Sequence, residues 1–167
     1  MMPLQGRLRG HLPSARLLVA VLWAGARQLV VALWAGSLWA IGYLAAPAAF
    51  STLDSTLAGS VVGKLLTREA WLSMACAVLL LALVRLAPDL DARRRRQLFV
   101  LVLAMLGLTL VNYFGLQPVM VQLREAAGAG GVRASPQWTQ FAILHGVSQL
   151  VYVIESVLAA VLVVKSR

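Results

Sequence analysis

The sequence has few charged residues, two histidines and one cysteine. Only 13% of its 167 residues are charged and 60% are hydrophobic, whereas soluble domains carry about 25% charged and about 45–50% apolar residues. The single cysteine, Cys76, excludes an internal disulfide framework and any cysteine-rich zinc or iron–sulfur centre within one chain. The net charge is +9, but the basic residues gather where apolar runs end. This pattern is typical of a membrane protein, and we expect no nucleic-acid partner.

Four apolar runs are long enough to cross a bilayer. A helix needs roughly 20 mostly apolar residues for this, and continuous runs without barrel-like alternation indicate helices. We predict an all-α integral membrane four-helix bundle. Residues 1–27 form a basic cytoplasmic or interfacial segment, and residues 28–165 form one transmembrane domain. The spans are predicted at about 28–49, 66–87, 97–117 and 141–164.

Lysine and arginine residues are distributed unequally between the two sides of this bundle. Eleven lie in the N-terminal flank, the middle connection and the C-terminus, against four in the other two connections. The positive-inside rule therefore places both termini in the cytoplasm, and we predict a multi-pass membrane protein. The two outer connections contain Leu57–Leu66 and Val119–Ala126, which we predict to be short amphipathic helical segments.

The last span carries a polar stripe on an otherwise apolar helix. Its members are spaced so that they share one helical face: His145, Ser148, Gln149, Tyr152, Glu155 and Ser156. An acidic side chain near the bilayer centre costs about 3 kcal/mol on insertion scales. We therefore expect the stripe to face the bundle interior or a wet cavity.

Polar residues on other spans fall at a similar depth. We predict an outer-facing polar chamber, with Glu69 and Arg68 at its mouth. We assign no catalytic residue and no metal ligand. The candidate chamber residues are Tyr43, Asn112, His145, Gln149, Tyr152 and Glu155.

Two of these residues have a structural alternative. His145 could tie helices together only through a hydrogen bond to Asn112. Glu155, the only acid that we place inside a span, could be protonated or paired with Arg85. A carboxyl group inside a membrane nevertheless indicates function by default.

No cofactor is expected, with haem or copper as the alternative. A haem held by two histidines needs two of them within the membrane, and only His145 lies in a span. The candidate soft copper ligands are Met74, Cys76, Met105, Met120 and His145. Met74 and Cys76 do not share a helix face, so a permanent metal site has little support.

Three blocks of sequence resemble a known family. They are Ala46-Pro47-Ala48-Ala49-Phe50 with Leu53 and Leu57-Ala58-Gly59; Asn112 with Pro118, Met120 and Arg124; and Phe141 with Leu144-His145 and Ser148. Together they resemble the bacterial "domain of unknown function 4149" family, which is similar to eukaryotic transmembrane protein 205. The resemblance covers roughly residues 29–164 and implies a four-helix membrane protein without an established activity.

The same family is grouped with copper-resistance protein D and a haem-biosynthetic membrane oxidase. Those relatives place a histidine in their first span, where this sequence has Trp34, Trp39 and Tyr43. This difference argues against inherited haem or copper chemistry.

The favoured function is a non-enzymatic multi-pass protein of the bacterial inner membrane that binds or handles a small solute or metal species in the chamber. The alternatives are a cofactor-dependent redox enzyme and a structural or assembly subunit of a membrane complex. Besides the lipid bilayer, the expected partners are the solute or metal ion and a membrane-protein partner or a second copy of the chain.

Overall fold

Residues 15–166 are described by a computed structural model, which contains six α-helices, two π-helical segments and two short 3-10 turns. The part of the predicted N-terminal segment before Ala15 lies outside the described residues. Within the described residues there is no strand, and the predicted all-α fold is confirmed. The α-helices are α1 (Ala15–Trp39), α2 (Ala46–Thr52), α3 (Ser55–Leu86), α4 (Ala92–Leu110), α5 (Gln117–Ala126) and α6 (Trp138–Lys165).

The π-helical segments connect α-helices without a break. Ala40–Ala45 joins α1 to α2, and Val111–Leu116 joins α4 to α5. Four continuous helices result, each long and apolar enough to cross a membrane, as predicted. We call them the first to fourth spans: Leu17–Thr52, Ser55–Leu86, Ala92–Ala126 and Trp138–Lys165.

Both π segments precede a proline at the same distance. Pro47 is the second residue of α2, and Pro118 is the second residue of α5. A proline lacks an amide donor and crowds the carbonyl four residues earlier. In the π turns the backbone bonds reach five residues back, from Ala46 to Ile41 and from Gln117 to Asn112. The wider turn lets each span continue past its proline.

Local signals fix where the second and third spans begin and end. Asp54 caps α3 by accepting from the amides of Thr56 and Leu57, both at 3.0 Å. Asp91 caps α4 by accepting from the Arg94 amide at 2.7 Å. The second span stops at Leu86, because the residue before Pro88 is driven out of helical geometry. The predicted helical segments of the outer connections are the beginning of α3 and most of α5.

The spans pack as a square, in which each contacts its two neighbours in chain order and the fourth closes against the first. One half of the bundle is a solid apolar core. Its largest fully buried side chains are Trp34, Leu38, Leu80, Leu98, Met105 and Leu162. The core ends at about the level of Leu38 and Met105, so the polar site lies in the other half.

The solid half ends in a ring of charges that we call the basic end, formed by Arg27, Arg93–Arg96 and Lys165. Arg27 is only 3% exposed and forms an ion pair with Asp89, with 2.8 Å between Nη2 and Oδ2. The hydrogen bond from Arg27 holds the pKa of Asp89 below its ordinary value. This pair ties the first span to the turn between the second and third spans.

Candidate functional site

A cavity of about 330 Å³ lies in the half of the bundle away from the basic end. All four spans contribute to its wall, and it is partly open to the surroundings. Its polar lining residues are Glu69, Thr109, Asn112, Tyr113, Gln117, Arg124, His145, Ser148, Gln149 and Tyr152. The cavity has room because several of its lining residues are small: Gly42, Gly59, Gly63 and Ala70.

The polar stripe of the fourth span runs along this cavity and continues beneath it. Ser148, Tyr152, Glu155 and Ser156 are buried in the bundle. His145 and Gln149 are more exposed and line the open part of the cavity. The stripe therefore faces the neighbouring spans in its buried portion and the cavity in its outer portion.

Tyr152 is inserted into the backbone of the first span. Its hydroxyl donates to the Leu38 carbonyl at 2.6 Å, and the backbone amide of Gly42 lies beside the same hydroxyl. Leu38 and Gly42 are four residues apart and would bond to each other in a regular α-helix. A side chain inserted into that ladder is a recognised cause of helix distortion, and it accounts for the π segment that begins at Ala40.

Asn112 lies in the second π segment and points to the fourth span. The Ser148 hydroxyl donates to its Oδ1 at 2.7 Å. The suggested hydrogen bond between His145 and Asn112 is absent from the described residues. His145 instead stacks on Phe141, with ring centroids 5.8 Å apart and planes 7° from parallel.

Glu155 lies below the cavity and is 3% exposed. The Thr109 hydroxyl is 2.6 Å from its Oε1 and 3.1 Å from the Met105 carbonyl. Since a hydroxyl has one proton to donate, both contacts are hydrogen bonds only if Glu155 is protonated and donates to Thr109. The suggested pairing with Arg85 is wrong, because Arg85 is exposed to the surroundings and Glu155 contacts Thr109 instead.

Glu69 was predicted at the mouth of the cavity, but the structure places it in the floor. It is 5% exposed and lines the cavity at the same level as Thr109 and Tyr152. A buried chain of hydrogen bonds supports it: Trp34 Nε1 donates to Ser73 Oγ at 2.6 Å, and Ser73 donates to Glu69 Oε1 at 2.5 Å. The prediction was wrong because Glu69 lies inside the second span, within the predicted bounds 66–87, and the helix turns its side chain toward the bundle interior.

Arg124 stands at the opposite end of the cavity from Glu69. Its guanidinium lies 5.6 Å from the centre of the Phe141 ring and donates to the Gly59 carbonyl at 3.4 Å. Arg68, which we expected at the mouth, is exposed and does not line the cavity. Arg124 occupies that place because the third span continues past Pro118 as α5.

Tyr43 is the other predicted chamber residue that the structure places elsewhere. It is 50% exposed and does not line the cavity. The π turn around it directs Gly42, its neighbour, toward Tyr152. Asn112, His145, Gln149 and Tyr152 do line the cavity as expected, and Glu155 lies directly beneath it through Thr109.

Sequence reasoning missed Thr109 and placed Glu69 wrongly. Thr109 precedes Asn112 by three residues and therefore shares its helix face, which is a signal that the sequence offered. The contact between Trp34 and Ser73 gave no such signal, because it depends on the rotation of two separate spans.

Residues 15–166 contain no group of three or more histidine, cysteine, aspartate or glutamate side chains that could hold a metal ion. Cys76 is a buried free cysteine in the apolar core.

One comparison with known proteins gave a match. The family model described as "Domain of unknown function (DUF4149)" matches residues 29–129. The matched region covers the first span from Leu29 onwards and the whole second and third spans, and it ends before the fourth span begins at Trp138. No curated protein and no solved structure matches the chain.

Proposed function

Since the chain belongs to the DUF4149 family, whose description names no activity, we propose a function from the cavity itself. The protein is a multi-pass protein of the bacterial inner membrane that binds a small solute or metal species in its intramembrane cavity. It acts by binding, without catalysing a reaction, and needs no resident cofactor.

The observation that carries this proposal is the division of the bundle into two unlike halves. One half is closed by an apolar core, while the other holds about 330 Å³ of space that all four spans line, with polar side chains from the second, third and fourth. Ligand cavities are typically about 300–1,000 Å³ with a few convergent polar groups. Polar side chains inside a membrane are costly, and a role confined to packing would favour close contacts between them.

The orientation of the cavity follows from the charges. The basic end faces the cytoplasm by the positive-inside rule, and the cavity lies in the opposite half. Its open end, beside Arg124 and His145, therefore faces the outside of the cell. A solute would enter from that side and reach the floor at Glu69.

A metal species enters the proposal as a transported or sensed ligand and not as a resident centre. The cavity offers one imidazole, at His145, one thioether, at Met120, and the carboxyl group of Glu69. Haem and copper enzymes form the alternative class, and an optical spectrum with elemental analysis of gently purified protein tests it. The similarity to transmembrane protein 205 and copper-resistance protein D is a prediction that no comparison tests.

The proposal is tested by filling the cavity. Gly63 lines the cavity, and a Cβ atom there would have ordinary contact with Arg124 at 3.8 Å. Gly63→Leu should therefore fill space without a clash. Gly107→Leu is the matched control, because a Cβ atom there meets nothing within 4 Å and the residue does not line the cavity.

The measurement is the thermal unfolding midpoint of the protein in lipid nanodiscs, with and without small alcohols, amines, amides and carboxylic acids. A ligand that binds the folded state raises the midpoint. At least one class should stabilise the wild type and Gly107→Leu but not Gly63→Leu. Equal shifts in all three proteins, or no shift in any, would contradict a binding function for the cavity.

A further inference from the structure

In the cavity half of the bundle, two acidic side chains have no cationic partner among residues 15–166. Glu69 is 5% and Glu155 is 3% exposed. The ion pair found within residues 15–166 joins Arg27 to Asp89 at the basic end, in the other half of the bundle. An unpaired buried carboxylate is strongly disfavoured, so each acid is neutral or meets a positive charge that comes from outside the chain.

Glu69 is arranged to meet such a charge. Its Oε1 accepts from Ser73, whose own oxygen already accepts from Trp34. Its Oε2 has no hydrogen-bond partner among the described residues. Unlike the unpartnered polar atoms that are sealed inside the protein, Oε2 keeps some accessible surface. Since Glu69 lines the cavity, Oε2 is the acceptor that the floor presents to an occupant.

The opposite charge in the cavity wall is too far away to neutralise this group. Arg124 contacts the carbonyl of Gly59 and lies 3.8 Å from the Cβ position of Gly63, which is six residues before Glu69 on the same helix. Six residues of α-helix rise about 9 Å, which is well beyond the reach of an ion pair. The guanidinium is also engaged with the Phe141 ring. A cationic group at the floor would thus contact Glu69 and not Arg124.

We propose, on the basis of the solute-binding function above, that the cavity takes a small organic ammonium ion in exchange for a proton. The ammonium nitrogen donates to Oε2 of Glu69, and its apolar tail extends along Phe50, Tyr113 and Met120 toward the open end. The carboxyl proton of Glu69 leaves to bulk water, so the net charge of the floor is unchanged. Rings beside the path can also stabilise the cation through their faces.

Binding should weaken as the pH falls, because protons compete with the amine for Glu69. The other titratable or charged groups around the floor and walls belong to three spans: Cys76 on the second, Tyr113 and Arg124 on the third, and His145, Tyr152 and Glu155 on the fourth. On the first span, Tyr43 lies outside the cavity. His145 also gains charge on acidification, so it must be separated from Glu69 experimentally.

The probes are hexylammonium and its neutral analogue hexan-1-ol, tested on the protein in zwitterionic nanodiscs with empty nanodiscs as the blank. We expect the amine to bind more than tenfold more tightly at pH 8 than at pH 6, and the alcohol to be insensitive to pH. Exchange of one proton permits at most a tenfold change per pH unit. Titrations in buffers of different ionisation enthalpy should show up to one proton released per amine bound.

The variant that tests the assignment is Glu69→Gln, which keeps an acceptor for Ser73. It should weaken amine binding more than tenfold, abolish its pH dependence and leave hexan-1-ol binding unchanged. Glu125→Gln, an exposed acid of α5 outside the cavity lining, removes the same charge and should have no effect. His145→Gln should retain the pH dependence.

The outcomes separate this inference from the function on which it rests. If hexan-1-ol binds the wild type but not Gly63→Leu, the cavity binds solutes. If the amine then shows no preference over the alcohol, or Glu69→Gln binds it normally, or His145→Gln loses the pH dependence, the exchange at Glu69 is overturned alone. If neither probe distinguishes wild type from Gly63→Leu, the proposed function fails with it.

Discussion

At the scale of single residues, Gly42 and Tyr152 show how closely the first and fourth spans approach. A Cβ atom at Gly42 would lie 2.3 Å from Cε1 of the Tyr152 ring. The ring cannot retreat without losing the hydrogen bond from its hydroxyl to Leu38. The contact therefore needs a glycine for lack of space, since the backbone at Gly42 is not in the left-handed region.

Gly42→Ala should destabilise the protein by about 1–3 kcal/mol, as overpacking does in well-packed interiors. Gly36→Ala is the control on the same span, because a Cβ atom there meets nothing within 4 Å. It should be neutral or stabilising by up to about 1 kcal/mol, since alanine favours helix over glycine. Thermal unfolding in detergent compares the two variants, and equal stabilities would contradict the close approach.

Asp89 gives a prediction at the basic end. Asp89→Asn leaves the buried Arg27 guanidinium without its charged partner and should cost about 2 kcal/mol at neutral pH. Because the folded-state pKa of Asp89 is lowered, chiefly by the hydrogen bond from Arg27, its stabilisation is complete above the ordinary value of 3.8 and is lost as the pH falls below it.

The difference between wild type and Asp89→Asn should accordingly shrink in acid. Asp91→Asn is the control, because asparagine caps a helix about as well as aspartate and Asp91 forms no ion pair among the described residues. Unfolding midpoints at pH 7 and pH 3 provide the comparison. A constant difference at both values would show that the ion pair is not the source of the stability.

At the scale of helices, the two π segments place the polar groups of the site. Gly42 belongs to the first, and Asn112 and Tyr113 belong to the second. Each segment receives a side chain from the fourth span: the Tyr152 ring packs against Gly42 of the first, and Ser148 donates to Asn112 of the second. The fourth span thus contacts both π segments, which lie on opposite sides of the cavity.

Tyr152→Phe should loosen the first π segment, because the Leu38 carbonyl loses its donor. The expected cost is about 1 kcal/mol, with faster hydrogen exchange in peptides that contain residues 40–45. Tyr43→Phe removes a hydroxyl from the same segment but at an exposed position, and exchange there should stay unchanged. Equal hydrogen exchange in both variants would show that the Tyr152 hydroxyl does not stabilise the π turn.

Helix content and span positions could be predicted from the sequence, because apolar runs and proline are local signals. The run that ends before Pro88 and the α5 extension past Pro118 are examples. The prolines that follow the two π turns are local signals too, but the contact between Tyr152 and Leu38, across 114 residues, could not be predicted. The prediction that Tyr43 lines the cavity assumed a regular helix in the first span. The wider π turn leaves its side chain outside the cavity.

The site was predictable to the extent that one helix face determined it. The stripe on the fourth span indicated that Ser148, Tyr152 and Glu155 point into the bundle, because polar side chains avoid lipid. The position of Glu69 in the floor depends on its hydrogen-bonded chain with Ser73 and Trp34, which lie on two spans. The presence of Arg124 at the mouth, where Arg68 was predicted, depends on the direction of α5. Rotation of one span against another sets such contacts, and single-sequence periodicity carries no information on it.

At the scale of the whole molecule, the bundle combines a closed apolar half with an open polar half. The second span crosses both: Ala70 lines the cavity, while Ala77, seven residues later on the same face, is fully buried in the core. Water should therefore reach Ala70 but not Ala77, and it should do so from outside the cell.

This prediction is tested most directly by cysteine labelling. In a Cys76→Ala background, Ala70→Cys and Ala77→Cys variants are exposed, in spheroplasts, to a membrane-impermeant cationic methanethiosulfonate reagent. The reagent should modify Ala70→Cys from the outside and leave Ala77→Cys unmodified. Ala70→Cys that resists the reagent from the outside in folded protein, or that reacts only from the cytoplasmic side, would contradict an outward-facing polar cavity.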